Sequence, residues 1–111
     1  MLTLKVKLST EEMSVPNPIY NLTLHKTYYE KGLFNLGVSV NRYVRPTSGP
    51  IKITLGRTNQ IIEGQVNRDA NPNGTPRVSG GNELRDWFIN NYSLKDQVNI
   101  EILSPTEIHI G

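Results

Sequence analysis

The chain has no cysteine, only two histidines and no apolar run long enough to cross a membrane. Without cysteine it can form no disulfide, no thiolate nucleophile and no cysteine-based zinc site. The sequence has no secretory signal and no long apolar run. We therefore expect a cytoplasmic protein without membrane association. Charge of one sign is also scarce, since 111 residues carry a net charge of +2. This balance is compatible with nucleic-acid binding without being diagnostic of it.

Catalytic and metal-binding patterns are equally scarce. His25 and His109 are the only histidines, and the sequence shows no paired-carboxylate spacing and no nucleophile elbow. The stretch 69–80 begins like a calcium loop, but its twelfth position, which needs a bidentate glutamate, is a glycine. No Gly-Lys-Ser/Thr follows its glycines, which excludes a Walker-type phosphate loop. We therefore expect a non-catalytic chain that needs no cofactor and no metal.

Alternation of apolar and polar residues, which is typical of half-buried strands, dominates the chain. It occurs in the segments 2–8, 19–24, 51–56, 61–66, 98–103 and 107–110. The stretches 57–60 and 104–106 are short enough to be hairpin turns. A charged stretch with two prolines follows the first segment. The sequence therefore predicts a lead-in strand and linker at 1–18 and one folded domain at 19–111.

Two segments favour helices. GNELRDWFINNY, at 81–92, places Leu84, Trp87 and Phe88 on one face, with Asn82 as the predicted N-cap. GVSVNRYV, at 37–44, favours a second short helix, although it is rich in β-branched residues. Several short, hairpin-linked strands favour a barrel over an open sheet. Besides the three helix residues, the predicted core contains Ile53, Leu55, Ile61, Val66, Val98, Ile100 and Ile102.

Two polar stretches hold the clearest functional signal. HKTYYEKGLFN, at 25–35, combines lysines and a histidine with two tyrosines, and NRDANPNGTPRVSGG, at 67–81, is rich in asparagine and arginine. Arginine can pair with guanine and asparagine with adenine, while lysine and tyrosine suit phosphates. Structural interpretations of the same residues stay open. Both tyrosines could cap the core, Arg68 could pair with Asp69, and 67–81 could be a surface turn. From these residues alone, a protein-interaction or ligand-binding domain is as plausible as a nucleic-acid binder.

The order of these features resembles the B-three-like DNA-binding pseudobarrel. This fold occurs in plant transcription factors and in the recognition domains of bacterial type II restriction endonucleases. The residues that carry the resemblance are LHKTYYEKGLFN, GPIKITLG and PRVSGGNELRDWFINNYSLKDQVNIEIL. The resemblance covers roughly 19–110. It implies a mainly β fold, a small pseudobarrel of about seven strands with two short helices.

The resemblance also implies a function. Members of the family grip duplex DNA with two arms in the major groove, and the domain is often fused to a separate nuclease domain. The first arm would be 25–34 and the second 67–79. We therefore expect sequence-specific binding of double-stranded DNA by a target-recognition domain that does not cut, with a fused or associated nuclease domain as its partner. The alternative is a small β-barrel module that binds a peptide or a small ligand.

The resemblance carries the DNA contacts over to residues in the two arms. We expect Arg68, Asn73 and Arg77 to read bases, because these types can make paired hydrogen bonds to base edges. Lys26 and Lys31 suit phosphates. The predicted DNA-binding residues are His25, Lys26, Thr27, Tyr28, Tyr29, Lys31, Asn35, Asn67, Arg68, Asp69, Asn71, Asn73, Thr75 and Arg77. Asp69 would either accept a hydrogen bond from a cytosine amino group or orient Arg68.

Overall fold

The structure of the protein is a computed structural model that describes residues 16–58 and 60–111. The strand predicted at 2–8 lies outside these residues. The described strands are β1 Ile19–Thr23, β2 Leu33–Asn35, β3 Gly49–Leu55, β4 Gln60–Asn67, β5 Arg77–Ser79, β6 Gln97–Ser104 and β7 Glu107–Ile110. The described helices are α1 Lys26–Lys31, a 3₁₀ helix Val38–Tyr43 and α2 Gly81–Asn91. In these ranges the helices are too short and too polar to span a bilayer.

The seven described strands form one curled, half-barrel sheet in the order β1-β6-β7-β3-β4-β5-β2. All neighbours are antiparallel except β3 and β7, which run parallel. The predictions of a mainly β class and of about seven strands are confirmed. Five of the alternating segments coincide with β1, β3, β4, β6 and β7 to within two residues. Alternation alone therefore located the longer strands.

The strand directions place the connections at two opposite ends of the sheet. One end, called here the helical end, carries α1, α2 and the β3–β4 turn. A Cβ built on Gly56 in that turn would lie 3.2 Å from the Trp87 indole, so α2 covers the turn. The other end, called here the loop end, carries the 3₁₀ helix, the β4–β5 connection and the β6–β7 turn. The predicted second arm is the β4–β5 connection.

The inward faces of the strands and of α2 form the core. Ile53, Leu84 and Phe88 are fully buried, and the predicted core residues are buried or packed against the core with one exception. Ile61 is 57% exposed, whereas Ile62 is 3% exposed. The pairing sets Ile62 opposite Ile53 in β3, so alternation turns Ile61 outward. Ile61 shares its face with the polar Glu63 and Gln65, whereas Ile62 shares its face with the buried Val66. The prediction for Ile61 was wrong, because Ile61 and Val66 cannot both face the core of a regular strand.

Glycines bring α1 and α2 into backbone contact. Gly32 ends α1 with a φ of 66°, and a Cβ there would lie 2.3 Å from the Gly81 carbonyl oxygen. The Gly80 N–H donates to the Gly32 carbonyl at 2.9 Å. Gly80 is the N-cap of α2, two residues before the predicted Asn82, because this contact fixes where the helix begins. The segment predicted as the first arm thus contains a short helix that the sequence did not predict.

Candidate nucleic-acid interface

The short strands β2 and β5 and the end of β4 form a three-strand ribbon, made of 33–35, 77–79 and 65–67. Val66, Val78 and Phe34 lie opposite one another across it and are buried. The residues on either side of them in each strand therefore face outward. They form two rows, Asn67–Arg77–Asn35 and Gln65–Ser79–Leu33. The ribbon presents hydrogen-bonding side chains at five of its six outward positions.

The two predicted arms leave the ribbon at opposite ends. The first arm contains α1, which joins β2 at Leu33 through Gly32 at the helical end. The second arm leaves β4 after Asn67 and re-enters the sheet at Arg77 at the loop end. The ribbon is three residues long, or about 10 Å at the usual rise of a strand. The structure therefore brings both arms to the borders of one polar surface.

Asn35 is the central hydrogen-bond acceptor of this surface. Its Oδ1 accepts from Arg77 Nε at 3.0 Å and from Asn71 Nδ2 at 3.1 Å. Asn71 Nδ2 also donates to the Thr75 carbonyl at 3.0 Å. These bonds connect β2, β5 and the second arm. Strand pairing thus places Asn35 beside Arg77, 42 residues away in the chain, and the second arm adds Asn71.

Arg68 has a different position from the one predicted. Its Nε donates to the Arg45 carbonyl at 2.9 Å, and its Nη2 donates to the carbonyls of Val44 at 2.8 Å and Asn41 at 3.0 Å. Its Nη1 donates to the Gly74 carbonyl at 3.0 Å and to Asn41 Oδ1. These five bonds use the full donor capacity of a guanidinium. In this structure Arg68 fastens the second arm to the 3₁₀ helix instead of offering donors to a base.

The surroundings of Arg68 also correct its suggested link to Asp69. No ion pair joins Arg68 and Asp69 within 16–58 and 60–111. Asp69 is exposed, and its backbone N–H donates to Asn67 Oδ1 at 2.8 Å. Burial lowers the pKa of the Arg68 guanidinium, and the surrounding carbonyl oxygens favour its charged form. Asp69 therefore does not orient Arg68, and its carboxylate is left facing solvent.

The tip of the second arm is held by its own side chains. Asn73 Oδ1 accepts from the hydroxyl of Thr75 at 2.8 Å and from its backbone N–H at 3.2 Å. Gly74 takes a φ of 75°, and its N–H donates to the Asn71 carbonyl at 2.9 Å. Thr75 is only 6% exposed, so it supports the turn and is not available to a partner. Asn73 is exposed and keeps its amide N–H groups for a partner.

The first arm divides into exposed and packed residues. His25, Lys26, Thr27 and Lys31 are exposed. Lys26 Nζ lies 2.8 Å from the Glu30 carboxylate, an exposed i,i+4 pair that contributes little to stability. Both tyrosines of the arm, by contrast, pack against the core. The hydroxyl of Tyr29 donates to the Tyr92 carbonyl at 3.1 Å. Both tyrosines therefore cover the core, as the structural alternative predicted.

Several surface residues at this site were not predicted. Gln65 and Ser79 belong to the outward rows, and only the strand register reveals them. Arg42 is exposed on the 3₁₀ helix, with its guanidinium 5.0 Å from the centre of the Tyr43 ring. It lines an open groove of about 460 Å³ between the 3₁₀ helix and the second arm. Arg42 in the stretch NRYVRP, at 41–46, was the sequence signal for this basic wall.

No family model matches the chain, and no curated protein matches it. Among solved structures, the chain is similar to the N-terminal domain of Helicobacter pylori LlaJI.R1, with a TM-score of 0.60. The similarity covers 83% of this chain and 77% of that chain at 8% sequence identity. At this identity the similarity shows a shared fold.

Proposed function

We propose that the chain binds double-stranded DNA sequence-specifically, with the three-strand ribbon and the two arms as its interface. The observation that carries the proposal is the outward row Asn67–Arg77–Asn35, which lies between two exposed polar arms. Arginine and asparagine are the side chains that pair with base edges in the major groove. LlaJI.R1, whose N-terminal domain shares the fold, is a restriction-modification component. That similarity is compatible with DNA recognition. The B-three-like binding mode and a target-recognition role in a bacterial restriction endonuclease are part of our proposal and rest on the resemblance in sequence.

Each part of the interface has its own chemistry. Arg77 and Asn73 are the proposed base contacts, since both keep side-chain N–H donors without an acceptor in the part of the chain that the structure describes. Lys26 and Lys31 on α1 suit the phosphates on the other side of the groove. Arg68 and Thr75 support the second arm from within. This division keeps the base and phosphate contacts predicted from the sequence and gives Arg68 and Thr75 a supporting role instead.

The first experiment is selection of a randomised duplex library by the chain at low salt, followed by gel shifts with the selected duplexes. We expect an enriched motif and tighter binding to the motif than to a scrambled duplex. Binding should weaken steeply as salt rises, because phosphate contacts release counterions. No binding at low salt, or binding without any enriched motif, would contradict the proposal.

Substitution of Arg77 locates the interface on the ribbon. Arg77→Ala should weaken binding to the selected duplex by about tenfold or more, the usual range for one bidentate base contact. Arg57→Ala is the matched control, because Arg57 is an exposed arginine in the β3–β4 turn, about 17 Å along β4 from the ribbon. The control should bind like the original protein. Equal losses in both variants would place the DNA elsewhere.

We further propose that the chain does not cut DNA and that a fused or associated nuclease domain supplies cleavage. No group of three or more metal-ligating side chains lies together in the described ranges. Incubation of the selected duplex with the protein and magnesium should leave the duplex intact on a denaturing gel. Specific cleavage products would overturn this part of the proposal without affecting DNA recognition.

A peptide or small ligand is the second candidate, and one groove favours it. An open groove of about 340 Å³ lies along β3 and β4, and its exposed lining residues include Pro50, Lys52, Ile61 and Glu63. Ile61 is 57% exposed there, although an apolar side chain gains by being covered. Ile61→Lys should leave DNA binding unchanged if DNA is the partner. Loss of DNA binding in this variant would move the interface to this groove.

A further inference from the structure

The Arg77 guanidinium is only partly used inside the protein. Its Nε donates to Asn35 Oδ1 at 3.0 Å. Neither Nη nitrogen has a hydrogen-bond acceptor or an acidic partner within 16–58 and 60–111. The tip of the group, formed by Nη1 and Nη2, is therefore a pair of unused donors on a side chain that faces out of the sheet.

Asn35 is itself held from two sides. Its Oδ1 accepts from Asn71 Nδ2 as well as from Arg77, and Asn71 is tied to the Thr75 carbonyl. The bond from Arg77 is made by Nε, the donor nearest the stem of the side chain. It therefore sets the plane of the guanidinium and leaves the tip free. A side chain oriented in this way loses less conformational freedom when it binds a partner.

We propose that Arg77 reads one guanine through its two Nη groups, and that Asn35 is the positioning residue that orients it for this contact. The inference rests on the proposed function and adds which base is read and how. Guanine presents O6 and N7 as adjacent acceptors on its major-groove edge, which match a guanidinium fork. A phosphate can be bound by a point charge on a flexible stem and needs no such orientation.

Arg77→Lys separates the two kinds of contact, because lysine keeps the charge and loses the fork. In the selection experiment we expect the Lys variant to lose the preference for guanine at one position of the motif, by about tenfold to a hundredfold. Its affinity for a scrambled duplex and its salt dependence should stay as in the original protein. If Arg77 instead contacts a phosphate, the Lys variant should keep the guanine preference and most of the affinity for both duplexes.

Asn35→Ala tests the positioning role. We expect a loss of about three- to tenfold in the preference for the same guanine, because the Arg77 side chain must then be ordered on binding. Binding to a scrambled duplex should not change. Asn35→Ser, whose hydroxyl is too short to reach Arg77, should reproduce the loss and replaces the Ala variant if that variant unfolds. Asn99→Ala is the matched control, because Asn99 is an exposed strand asparagine on β6, outside the ribbon and both arms.

The outcomes distinguish this inference from the proposed function. If the original protein selects no motif, the proposed function fails and the inference fails with it. If a motif is found without a guanine that depends on Arg77, only the inference is overturned. The same holds if Asn35→Ala and Asn35→Ser keep the full guanine preference, or if Asn99→Ala loses as much of it as they do. Loss confined to the Arg77 and Asn35 variants at the same base supports it.

Discussion

The guanidinium of Arg68 holds the second arm against the 3₁₀ helix through bonds to the carbonyls of Asn41, Val44, Arg45 and Gly74. Arg68→Ala would leave these partly buried oxygens without their charged donor. We expect the free energy of unfolding to fall by about 2–3 kcal/mol, the usual scale for hydrogen bonds to a charged group. Urea denaturation followed by tryptophan fluorescence measures this change.

Two further variants test that interpretation of Arg68. Arg68→Lys should recover only a small part of the loss, because an ammonium has three donors and no planar fork. Arg42→Ala removes a neighbouring exposed arginine and should change stability by about 0.5 kcal/mol or less, as is usual for surface substitutions. If Arg68→Ala folds as stably as the original protein but binds DNA poorly, the arginine is a contact residue and the structural role is wrong.

The packing of α1 against α2 depends on Gly32, at the scale of whole elements. Gly32→Ala would set a Cβ 2.3 Å from the Gly81 carbonyl oxygen and 2.7 Å from the Arg85 nitrogen, at a φ of 66°. Strain at positive φ costs about 1–2 kcal/mol, and overpacking adds about 1–3 kcal/mol. We therefore expect a loss of about 3 kcal/mol in the free energy of unfolding, measured by thermal or urea denaturation.

Gly74 is the matched control for this substitution. It has a φ of 75° but nothing within 4 Å of an added Cβ. Gly74→Ala should therefore show only the cost of positive φ, about 1–2 kcal/mol. The difference between the two variants measures how tightly the first arm is packed onto α2. If Gly32→Ala and Gly74→Ala lose the same free energy of unfolding, α1 can move away from α2 at little cost. The first arm would then not be held rigidly against α2.

At the scale of the whole molecule, the net charge is only +2, so phosphate binding depends on a few exposed cations. Exposed Lys26 and Lys31 lie at the helical end, while Arg42 lies beside the second arm at the loop end. If these three contact phosphates, log K should fall with log salt with a slope of about −3. Fluorescence anisotropy titrations at several salt concentrations, with a selected and a scrambled duplex, give this slope.

Arg42→Ala tests whether the groove beside the second arm contributes to that slope. The variant should lower the affinity for both duplexes by the same factor and make the slope shallower by about one. Arg57→Ala should change neither quantity. A change restricted to the selected duplex would mean that Arg42 reads a base, and no change at all would place the groove outside the interface.

The sequence by itself determined the mainly β class, the positions of the longer strands and the two polar stretches. Strand alternation and turn residues are local properties, so they can be read without knowing what each segment pairs with. Alternation also decides the face of Ile61, because the polar Glu63 and Gln65 lie on it. The pairing of Ile62 with Ile53 agrees with that pattern and contradicts the prediction for Ile61.

Only the tertiary structure decided which polar residues can act together. The pairing of β2 with β5 places Asn35 beside Arg77, 42 residues away in the chain, and the fold of the β4–β5 connection turns Arg68 inward. Both arginines are in the same stretch and look equivalent in the sequence. What separates them is the number of backbone carbonyls that the fold brings within reach, because a guanidinium saturated by the protein has no donors left for a partner.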